Sequence, residues 1–421
     1  ERILWADADK IAQDLEAHMS SCSAIRQTKF AGSYRRGKET VGDLDLLVDS
    51  DDSKTVMDHF GKYKEITSVI VRGETKMSVR LEDEFQVDLR VVPEESFGAA
   101  LQYFTGSKDH NVLVRGRAKQ MGLKVNEWGV FEVNDSDERR IAGQSELEVY
   151  ESLDLPYFPP EIREARRELD WAKNNELPKL IELGDIRGDL HMHTTATDGK
   201  ASIEEMADAA KAIGLSYIAI TDHSQRVSMA NGLTPERLLD QWKTIDRINA
   251  NRPDGFAILK GIECDILESG GMDLPDEVLA QGDFIIASVH YGQNQSRQQI
   301  TDRITGALEN PHVSMIAHPT GRLLNKREAY EVDIEAVFQA AKANQKMVEL
   351  NANPIRLDLN DIHLLAAKTH GIPVVINTDA HRTLGLSNMR FGIKQARRGC
   401  LSAADVANTL PLADFIKMLD R

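Results

Sequence analysis

The sequence predicts a multi-domain α/β protein whose rear half is a closed β/α barrel. Its 421 residues are too many for one ordinary core and suit two or three domains. From about residue 185 onward, seven short apolar runs alternate with helical stretches, which indicates a parallel sheet covered by helices. Residues 1 to about 95 mix helical periodicity with alternating apolar and polar positions, which indicates a separate α+β domain.

The composition is that of a soluble globular protein, with 41% hydrophobic and 28% charged residues. No apolar run approaches the roughly 20 residues that span a bilayer. The three cysteines lie far apart without a CxxC pair, which argues against a disulfide framework and a cysteine zinc site. Since the first residues also lack the order of a secretion signal, we expect a cytoplasmic protein.

The net charge of −16 argues against attraction of nucleic acid to the whole surface. Any contact with nucleic acid must therefore be local or bridged by metal ions. Residues 107–124 offer such a place, because they hold five basic residues and the single acid Asp109. A solvated helix face is the usual explanation of a charge run, but in so acidic a chain we expect a phosphate-binding surface.

Two strand candidates of the front domain carry aspartates on their polar faces. In "VGDLDLLVD" Asp43 and Asp45 face one side, and in "FQVDLRVV" Asp88 lies opposite the apolar positions. A half-buried edge strand without function would explain either strand alone. If the strands pair, three carboxylates meet, and clustered negative charges destabilise a fold unless cations lie among them. Magnesium prefers oxygen ligands and would suit such a site.

The loop before these aspartates is suited to binding an anion. Ser33, Arg36 and the backbone amides around Gly32 and Gly42 could hold a triphosphate while the aspartates hold two metal ions. Such a pair of ions activates a 3′-hydroxyl group and stabilises the departing pyrophosphate. The combination predicts nucleotidyl transfer.

In the rear half, six of the 12 histidines lie at the carboxyl ends of the strand candidates. They are His191, His193, His223, His290, His318 and His381, and they are accompanied by Asp198, Glu263 and Asp379. In a β/α barrel these strand ends meet at one rim. A single histidine there commonly caps a strand, but six with carboxylates are not explained in this way. Nine nitrogen and oxygen ligands predict two or three divalent ions of zinc, manganese or iron.

The rear motifs resemble those of the polymerase-and-histidinol-phosphatase (PHP) domain over residues 185–421. They are "GDLHMHTTATDG", "AITDHS", "GIECDI", "SVH", "AHP" and "NTDAH". The resemblance implies a distorted (β/α)7 barrel with a trinuclear metal site that hydrolyses phosphoesters. The implied ligands are the nine residues named above, none of them substituted. Arg322, after "AHPTG", could bind a phosphate, although a surface arginine is as common.

Residues 1–95 and 96–152 resemble the palm and the thumb of family X DNA polymerases, and residues 153–184 suit a linker. The resemblance rests on "GSYRRG", "GDLDLL", "VDLR" and "YFTGS" followed by Asn111 and Arg115. It implies Asp43, Asp45 and Asp88 as ligands of Mg²⁺ or Mn²⁺, and Gly32, Ser33, Arg36 and Gly42 as the triphosphate site. It also places Tyr103, Phe104 and Gly106 near the sugar, Asn111 near the base, and Arg115 and Lys119 on DNA. Tyr103 and Phe104 could equally be core aromatics.

The order of the two halves resembles the bacterial family X repair polymerases. That family implies gap filling with dNTP and 3′–5′ exonuclease activity, with abasic-site endonuclease or 3′-phosphatase activity as further options. Its members carry helix-hairpin-helix and fingers regions before the palm, so we expect this chain to be partial. Two alternatives stay open: a small-molecule phosphoesterase of the histidinol-phosphatase kind, and a front half that only docks DNA. The oligomeric state also stays open, with a monomer as the default.

Overall fold

The computed structural model describes residues 1–134 and 137–420 of the chain. These residues form two compact units, Glu1–Pro178 and Lys179–Arg421. Residues 153–178, which the sequence predicts to be part of a linker, pack within the first unit. Within the described residues, no helix is both long and apolar enough to cross a membrane.

The first unit contains a five-stranded sheet in the order β2-β4-β7-β6-β5, a short β1-β3 pair and a three-stranded sheet in the order β10-β9-β8. The strands are β1 Ile3–Leu4, β2 Gln27–Phe30, β3 Thr40–Val41, β4 Asp43–Asp49, β5 Ile66–Arg72, β6 Lys76–Leu81, β7 Gln86–Val92, β8 Leu123–Asn126, β9 Gly129–Asn134 and β10 Asp137–Ala142. The helices are α1 Trp5–Ser20, α2 Gly32–Arg35, α3 Ser53–Phe60, α4 Phe97–Thr105, α5 Lys108–Gln120, α6 Glu146–Glu151 and α7 Glu168–Asn174.

The central strands β4 and β7 run parallel, and their apolar positions face the core. Leu44, Leu46, Val87 and Leu89 are at most 1% exposed, which leaves the aspartates of these strands on the opposite face. The predicted alternation of β4 and β7 is therefore confirmed. Helix α5 begins at Lys108, because Ser107 caps it by accepting a hydrogen bond from the amide of His110.

The second unit contains seven parallel strands in chain order, from β11 to β17. They are β11 Gly188–Asp189, β12 Tyr217–Ile220, β13 Ala257–Asp265, β14 Phe284–Ser288, β15 Met315–Ile316, β16 Met347–Asn351 and β17 Val374–Asn377. The helices are α8 Ile203–Ala212, α9 Pro235–Ala250, α10 Asp276–Leu279, α11 Arg297–Glu309, α12 Ile334–Ala343, α13 Asp361–His370, α14 Met389–Arg398 and α15 Leu412–Leu419.

The seven strands curl into a nearly closed barrel. A parallel bridge between Met192 and Ala380 joins the ends of the first and last strands, and the amide of His193 donates to the carbonyl of Ala380 at 2.8 Å. The apolar runs fill the layer between sheet and helices, where Ile218, Ile262 and Val348 are fully enclosed. The predicted seven-stranded β/α barrel is confirmed.

Candidate active sites: a histidine-rich rim and three aspartates

The barrel brings all nine predicted metal-binding residues to its carboxyl rim. His191 and His193 follow β11, His223 follows β12, and Glu263 lies within β13. The remaining strands supply His290, His318, Asp379 and His381 just after their last residues, and Asp198 lies in the loop that follows β11. Because parallel strands in chain order all end at one edge, residues spread over 190 positions meet there.

The side chains of this rim approach one another as groups of potential ligands. One group is His191, His193, Glu263 and Asp379, a second is His193, Asp198, His223 and His381, and a third is His223, Glu263 and His290. The ligand atoms within each group all lie within 4.8 Å of one another. All groups of this kind that the described residues form lie in the second unit.

Glu263 lies at the centre of the rim. Its Oε2 atom lies 3.1 Å from Nε2 of His191 and 3.3 Å from both Nε2 of His193 and Nδ1 of His223. Its Oε1 atom lies 3.3 Å from Nε2 of His290 and 3.1 Å from Nε2 of His318. One carboxylate therefore faces five imidazoles, with a different oxygen towards each side of the cluster.

Several polar atoms of the rim are buried without a hydrogen-bond partner. They are Nε2 of His191, Nδ1 of His193, Nδ1 of His223, Nδ1 of His318, Oδ1 of Asp198 and Oε2 of Glu263. A buried polar atom without a partner costs about 1–3 kcal/mol, so six in one cluster would be a large penalty for an ordinary core. Divalent cations remove that penalty, because imidazole nitrogen and carboxylate oxygen are ligands of zinc, manganese and iron. The donor set therefore fits such ions.

The protonation of the rim also reflects its dense negative charge. Burial opposes the charged form of His290, yet Glu263 and Asp265 raise its pKa to about 10. Burial likewise opposes a charged His381, but Asp198 and Asp379 raise its pKa to about 9. The carboxylates thus favour the protonated forms of His290 and His381 in the absence of metal, and bound cations would displace those protons.

Sequence reasoning missed the acidic residues behind the ligands. Nδ1 of His191 lies 2.7 Å from Oε2 of Glu349, and Glu349 also accepts from the amide of His318 at 3.0 Å. Nδ1 of His290 is hydrogen-bonded to Asp265. Such partners hold the orientation and tautomer of ligating histidines. Two features of the sequence indicate these residues: Glu349 is the single charge in the apolar run "MVEL", and Asp265 lies two positions after Glu263.

The structure assigns Arg322 a different role from phosphate binding. Its Nε atom donates to the carbonyl of Arg356 at 3.0 Å, and its Nη2 atom donates to the carbonyl of Leu357, so it ties together the loops after β15 and β16. Arg356 itself has a buried Nη1 atom without a hydrogen-bond partner. Burial and the charge of Arg356 lower the pKa of His318 to about 4, so this guanidinium acts electrostatically on the rim.

In the first unit, the pairing of β4 with β7 brings the predicted aspartates onto one surface. Asp45 lies directly opposite Asp88 in the parallel register, and Asp43 lies two residues away on the same face. Burial, with the charges of Asp43 and Asp88, raises the pKa of Asp45 to about 7. Burial and Asp88 also raise the pKa of Asp43. Asp88 accepts hydrogen bonds from the Ser78 hydroxyl group and from Nε2 of Gln86 at 3.1 Å.

The glycine-serine loop lies against these aspartates. Gly32 has a φ angle of +64°, and a Cβ atom there would lie 2.3 Å from Oδ2 of Asp45. Glycine is therefore required at this position for two reasons, the backbone conformation and the close approach. Ser33 is half-buried in helix α2, and Gly42 directly precedes Asp43. Gly32 thus lies against Asp45 and Gly42 beside Asp43, and the predicted triphosphate site of Gly32, Ser33, Arg36 and Gly42 stays a prediction.

Arg36 and Asn111 already have protein partners. Nη1 of Arg36 donates to the carbonyl of Thr105 at 2.6 Å, and Nε donates to Oε1 of Glu164 at 2.9 Å. Asn111 is 8% exposed; its amide nitrogen donates to the carbonyl of Tyr103 at 2.7 Å, and its oxygen accepts from Gln102 at 2.9 Å. These bonds hold α4 and α5 together, so the predicted base contact of Asn111 stays a prediction.

The remaining predicted contacts lie along α4 and α5. The rings of Tyr103 and Phe104 meet edge to face with centroids 5.0 Å apart, and both are half-buried. Gly106 has a φ angle of +69°, and a Cβ atom there would lie 3.2 Å from Nη1 of Arg36. Arg115 and Lys119 are exposed one helical turn apart on α5, where both can reach a charged ligand.

Three family models match successive parts of the chain. Residues 2–101 match the family model of the DNA polymerase beta palm, residues 100–164 that of the DNA polymerase beta thumb, and residues 189–353 that of the PHP domain.

Relatives of two kinds cover different parts of the chain. The DNA polymerase/3′-5′ exonuclease PolX of Bacillus subtilis (strain 168) is 45% identical over 423 aligned residues, which are 100% of this chain and 73% of the relative. A probable phosphatase of Acetivibrio thermocellus is 36% identical over 39% of this chain and 64% of its own length. Another, from Thermoanaerobacter sp. (strain X514), is 29% identical over 52% of this chain and 89% of its own length.

One assignment follows from the match to PolX along the whole of this chain, from the order of the three family models and from the barrel with its histidine-rich rim. The chain belongs to the PolX family, the family X DNA polymerases in which a palm and a thumb are joined to a PHP domain.

Proposed function

We propose that the first unit extends DNA by template-directed nucleotidyl transfer and that the second unit removes nucleotides from DNA 3′ ends. The observation that carries this proposal is the 45% identity to a DNA polymerase/3′-5′ exonuclease along the whole chain. The substrates are DNA and dNTP, and gap filling in DNA repair is the process that such a pair of activities serves. The site of action is the bacterial cytoplasm.

In the first unit, Asp43, Asp45 and Asp88 hold divalent cations, for which Mg²⁺ and Mn²⁺ are the candidates. When bound, these ions lower the pKa of the 3′-hydroxyl group and neutralise the departing pyrophosphate. The hydrogen bonds from Ser78 and Gln86 keep the carboxylate of Asp88 oriented towards the shared surface. The raised pKa of Asp45 supports this role, because a buried carboxylate beside two others needs cations to ionise fully.

The nucleotide occupies the side of the aspartates that the loop 32–42 covers. Gly32 and Gly42 let the backbone approach the triphosphate, and Ser33 and Arg36 donate hydrogen bonds to it. Tyr103, Phe104 and Gly106 border the sugar, and Asn111 lies on the side of the base. Arg115 and Lys119 bind phosphates of the DNA from the exposed face of α5.

In the second unit, two or three ions of zinc, manganese or iron are held by His191, His193, Asp198, His223, Glu263, His290, His318, Asp379 and His381. These ions supply a nucleophile at neutral pH and neutralise phosphate oxygens. Glu349 and Asp265 hold the imidazoles of His191 and His290 in place. Arg356 provides a positive charge beside the rim for the phosphate of the 3′-terminal nucleotide.

The experiment uses one protein and two single-residue variants. Asp45→Ala should abolish dNTP incorporation on gapped DNA and leave the shortening of a 3′-labelled oligonucleotide with Mn²⁺ intact. His193→Ala should produce the opposite pattern and lower the bound metal measured by mass spectrometry. If the parent protein leaves both DNA substrates unchanged, the proposal is wrong. Retention of both activities in His193→Ala would remove His193 from the ligand set.

A second candidate activity of the barrel is phosphomonoester hydrolysis. The similarity to probable phosphatases, which cover 39% and 52% of this chain, favours it. An oligonucleotide with a 3′-phosphate and histidinol phosphate distinguish the possible substrates. Release of phosphate from the oligonucleotide indicates a 3′-end phosphatase, whereas clearance of histidinol phosphate by a protein that ignores DNA ends would favour a small-molecule phosphatase.

A further inference from the structure

Arg36, the arginine proposed to bind the triphosphate, forms an ion pair with a carboxylate of the protein itself. Nε of Arg36 donates to Oε1 of Glu164 at 2.9 Å, and the two side chains are only 11% and 14% exposed. Glu164 is separated from Arg36 by 128 positions, in the segment that precedes helix α7. The carboxylate therefore occupies a donor that a phosphate oxygen would use.

The backbone around Glu164 is fixed on both sides. Arg163, which is fully buried, donates from Nε to the carbonyl of Phe158 at 2.8 Å and from Nη1 to Glu146 at 2.5 Å. The carbonyl of Arg163 accepts from the amide of Ser107 at 2.9 Å, next to Gly106. On the other side, the amide of Ala165 donates to Glu168 at 2.7 Å. Displacement of the Glu164 carboxylate from Arg36 therefore requires a movement of this side chain and not of the segment that carries it.

The opposite side of the Arg36 guanidinium is fixed as well. Its Nη1 atom donates to the carbonyl of Thr105 at 2.6 Å, which positions the planar group and aims Nε at Glu164. A carboxylate and a phosphate oxygen compete for the same charge-assisted hydrogen bond. Because Glu164 is tethered beside Arg36, its effective concentration is high, and a weakly bound anion cannot replace it.

We propose that Glu164 is an internal competitor of the nucleotide triphosphate, which must displace its carboxylate from Arg36 to bind. This inference rests on the proposed role of Arg36 in the polymerase site. A dNTP that also contacts metal ions and the loop 32–42 can displace Glu164, whereas phosphate or pyrophosphate alone makes fewer contacts. Glu164 thereby lowers, by the same factor, the affinity of the site for every anion that needs this donor of Arg36.

The test is Glu164→Gln, which keeps the shape and one acceptor oxygen but removes the charge. We expect the KM for dNTP in single-nucleotide gap filling to fall about fivefold, equivalent to about 1 kcal/mol for a partly exposed ion pair. Inhibition by inorganic pyrophosphate should strengthen by about the same factor, because both ligands must displace the same carboxylate. The matched control Glu151→Gln removes the same charge from an exposed position on α6 and should leave both values unchanged.

A double variant makes the test specific to the contact. In an Arg36→Gln background, Glu164→Gln should no longer change the KM, since the competing partner is gone. An unchanged or raised KM in Glu164→Gln, with an active parent protein, overturns the inference. If the parent protein incorporates no dNTP, the proposed polymerase function fails instead. Calorimetric binding of tripolyphosphate then decides the competition separately, and equal affinity of the parent and Glu164→Gln would refute it.

Discussion

Replacement of Asp45 by Asn tests whether the aspartate surface is a metal site. Burial and the two neighbouring carboxylates raise the pKa of Asp45 from 3.8 to about 7. Without metal, the folded protein therefore binds this proton more tightly than the unfolded chain, and its stability falls as the pH rises from about 4 through 7. One pKa unit corresponds to about 1.4 kcal/mol, so the loss is at most about 4 kcal/mol, and about 2 kcal/mol after relaxation.

Asp45→Asn removes this ionisation. The free energies of unfolding of the variant and the parent are compared in EDTA at pH 4.5 and pH 8. Between these two pH values, we expect their difference to shift by about 2 kcal/mol in favour of the variant. Addition of Mg²⁺ should stabilise the parent and have little effect on the variant. Urea-dependent hydrogen exchange of peptides from β4 and β7 measures this unit of the full chain directly. Asp170→Asn, an exposed control on α7, should show the same difference at both pH values. A parent protein that gains stability relative to Asp45→Asn as the pH rises would refute the reasoning.

Three further predictions concern other parts of the two sites. Glu263→Gln should lower bound metal and slow 3′-end hydrolysis by about 100-fold or more while dNTP incorporation continues, since one carboxylate faces five imidazoles; full metal occupancy by mass spectrometry would contradict this. Gly32→Ala should destabilise the first unit by about 1–2 kcal/mol and reduce dNTP incorporation, whereas Gly116→Ala, with open space around its Cβ position, should be neutral or stabilising. The double variant Arg115→Gln, Lys119→Gln should bind DNA more weakly, and the number of counterions released on binding should fall by about two. The KM for dNTP should not change. An unchanged dependence of DNA affinity on salt concentration would exclude α5 from the interface.

The sequence predicts best what depends on local periodicity. Apolar runs identify the seven barrel strands, and strand-end histidines identify the rim, because a parallel barrel places every carboxyl end on one side. The pairing of Asp45 with Asp88 follows from two alternating strands once their register is known. The same reasoning cannot identify partners from distant segments. Glu164 lies in a stretch that reads as a linker, and only the packing of that stretch within the first unit brings it to Arg36.

Partners also decide which candidate residues are available for binding. Arg322 has the chemistry to bind a phosphate, yet the main-chain carbonyls of Arg356 and Leu357 accept hydrogen bonds from its Nε and Nη2 atoms. Arg356 and Glu349 carry no motif of their own, although one has an unpartnered buried nitrogen and the other bonds directly to His191. The sequence gives the donors and acceptors of each polar side chain, but only the tertiary fold determines which of them already have partners within the protein.

Both sites contain clustered carboxylates whose negative charge must be compensated, and they differ in the atoms that bind the compensating protons. On the palm surface three carboxylates lie together, and burial with the neighbouring charges raises the pKa of Asp45 to about 7, which favours a proton on this carboxyl group when metal is absent. At the barrel rim the compensating protons reside on imidazoles such as His290 and His381, whose pKa values rise to about 10 and about 9. A metal ion must therefore displace protons from nitrogen at the rim but from oxygen on the palm. Because zinc prefers nitrogen and magnesium prefers oxygen, the two donor sets favour different ions, although manganese suits both.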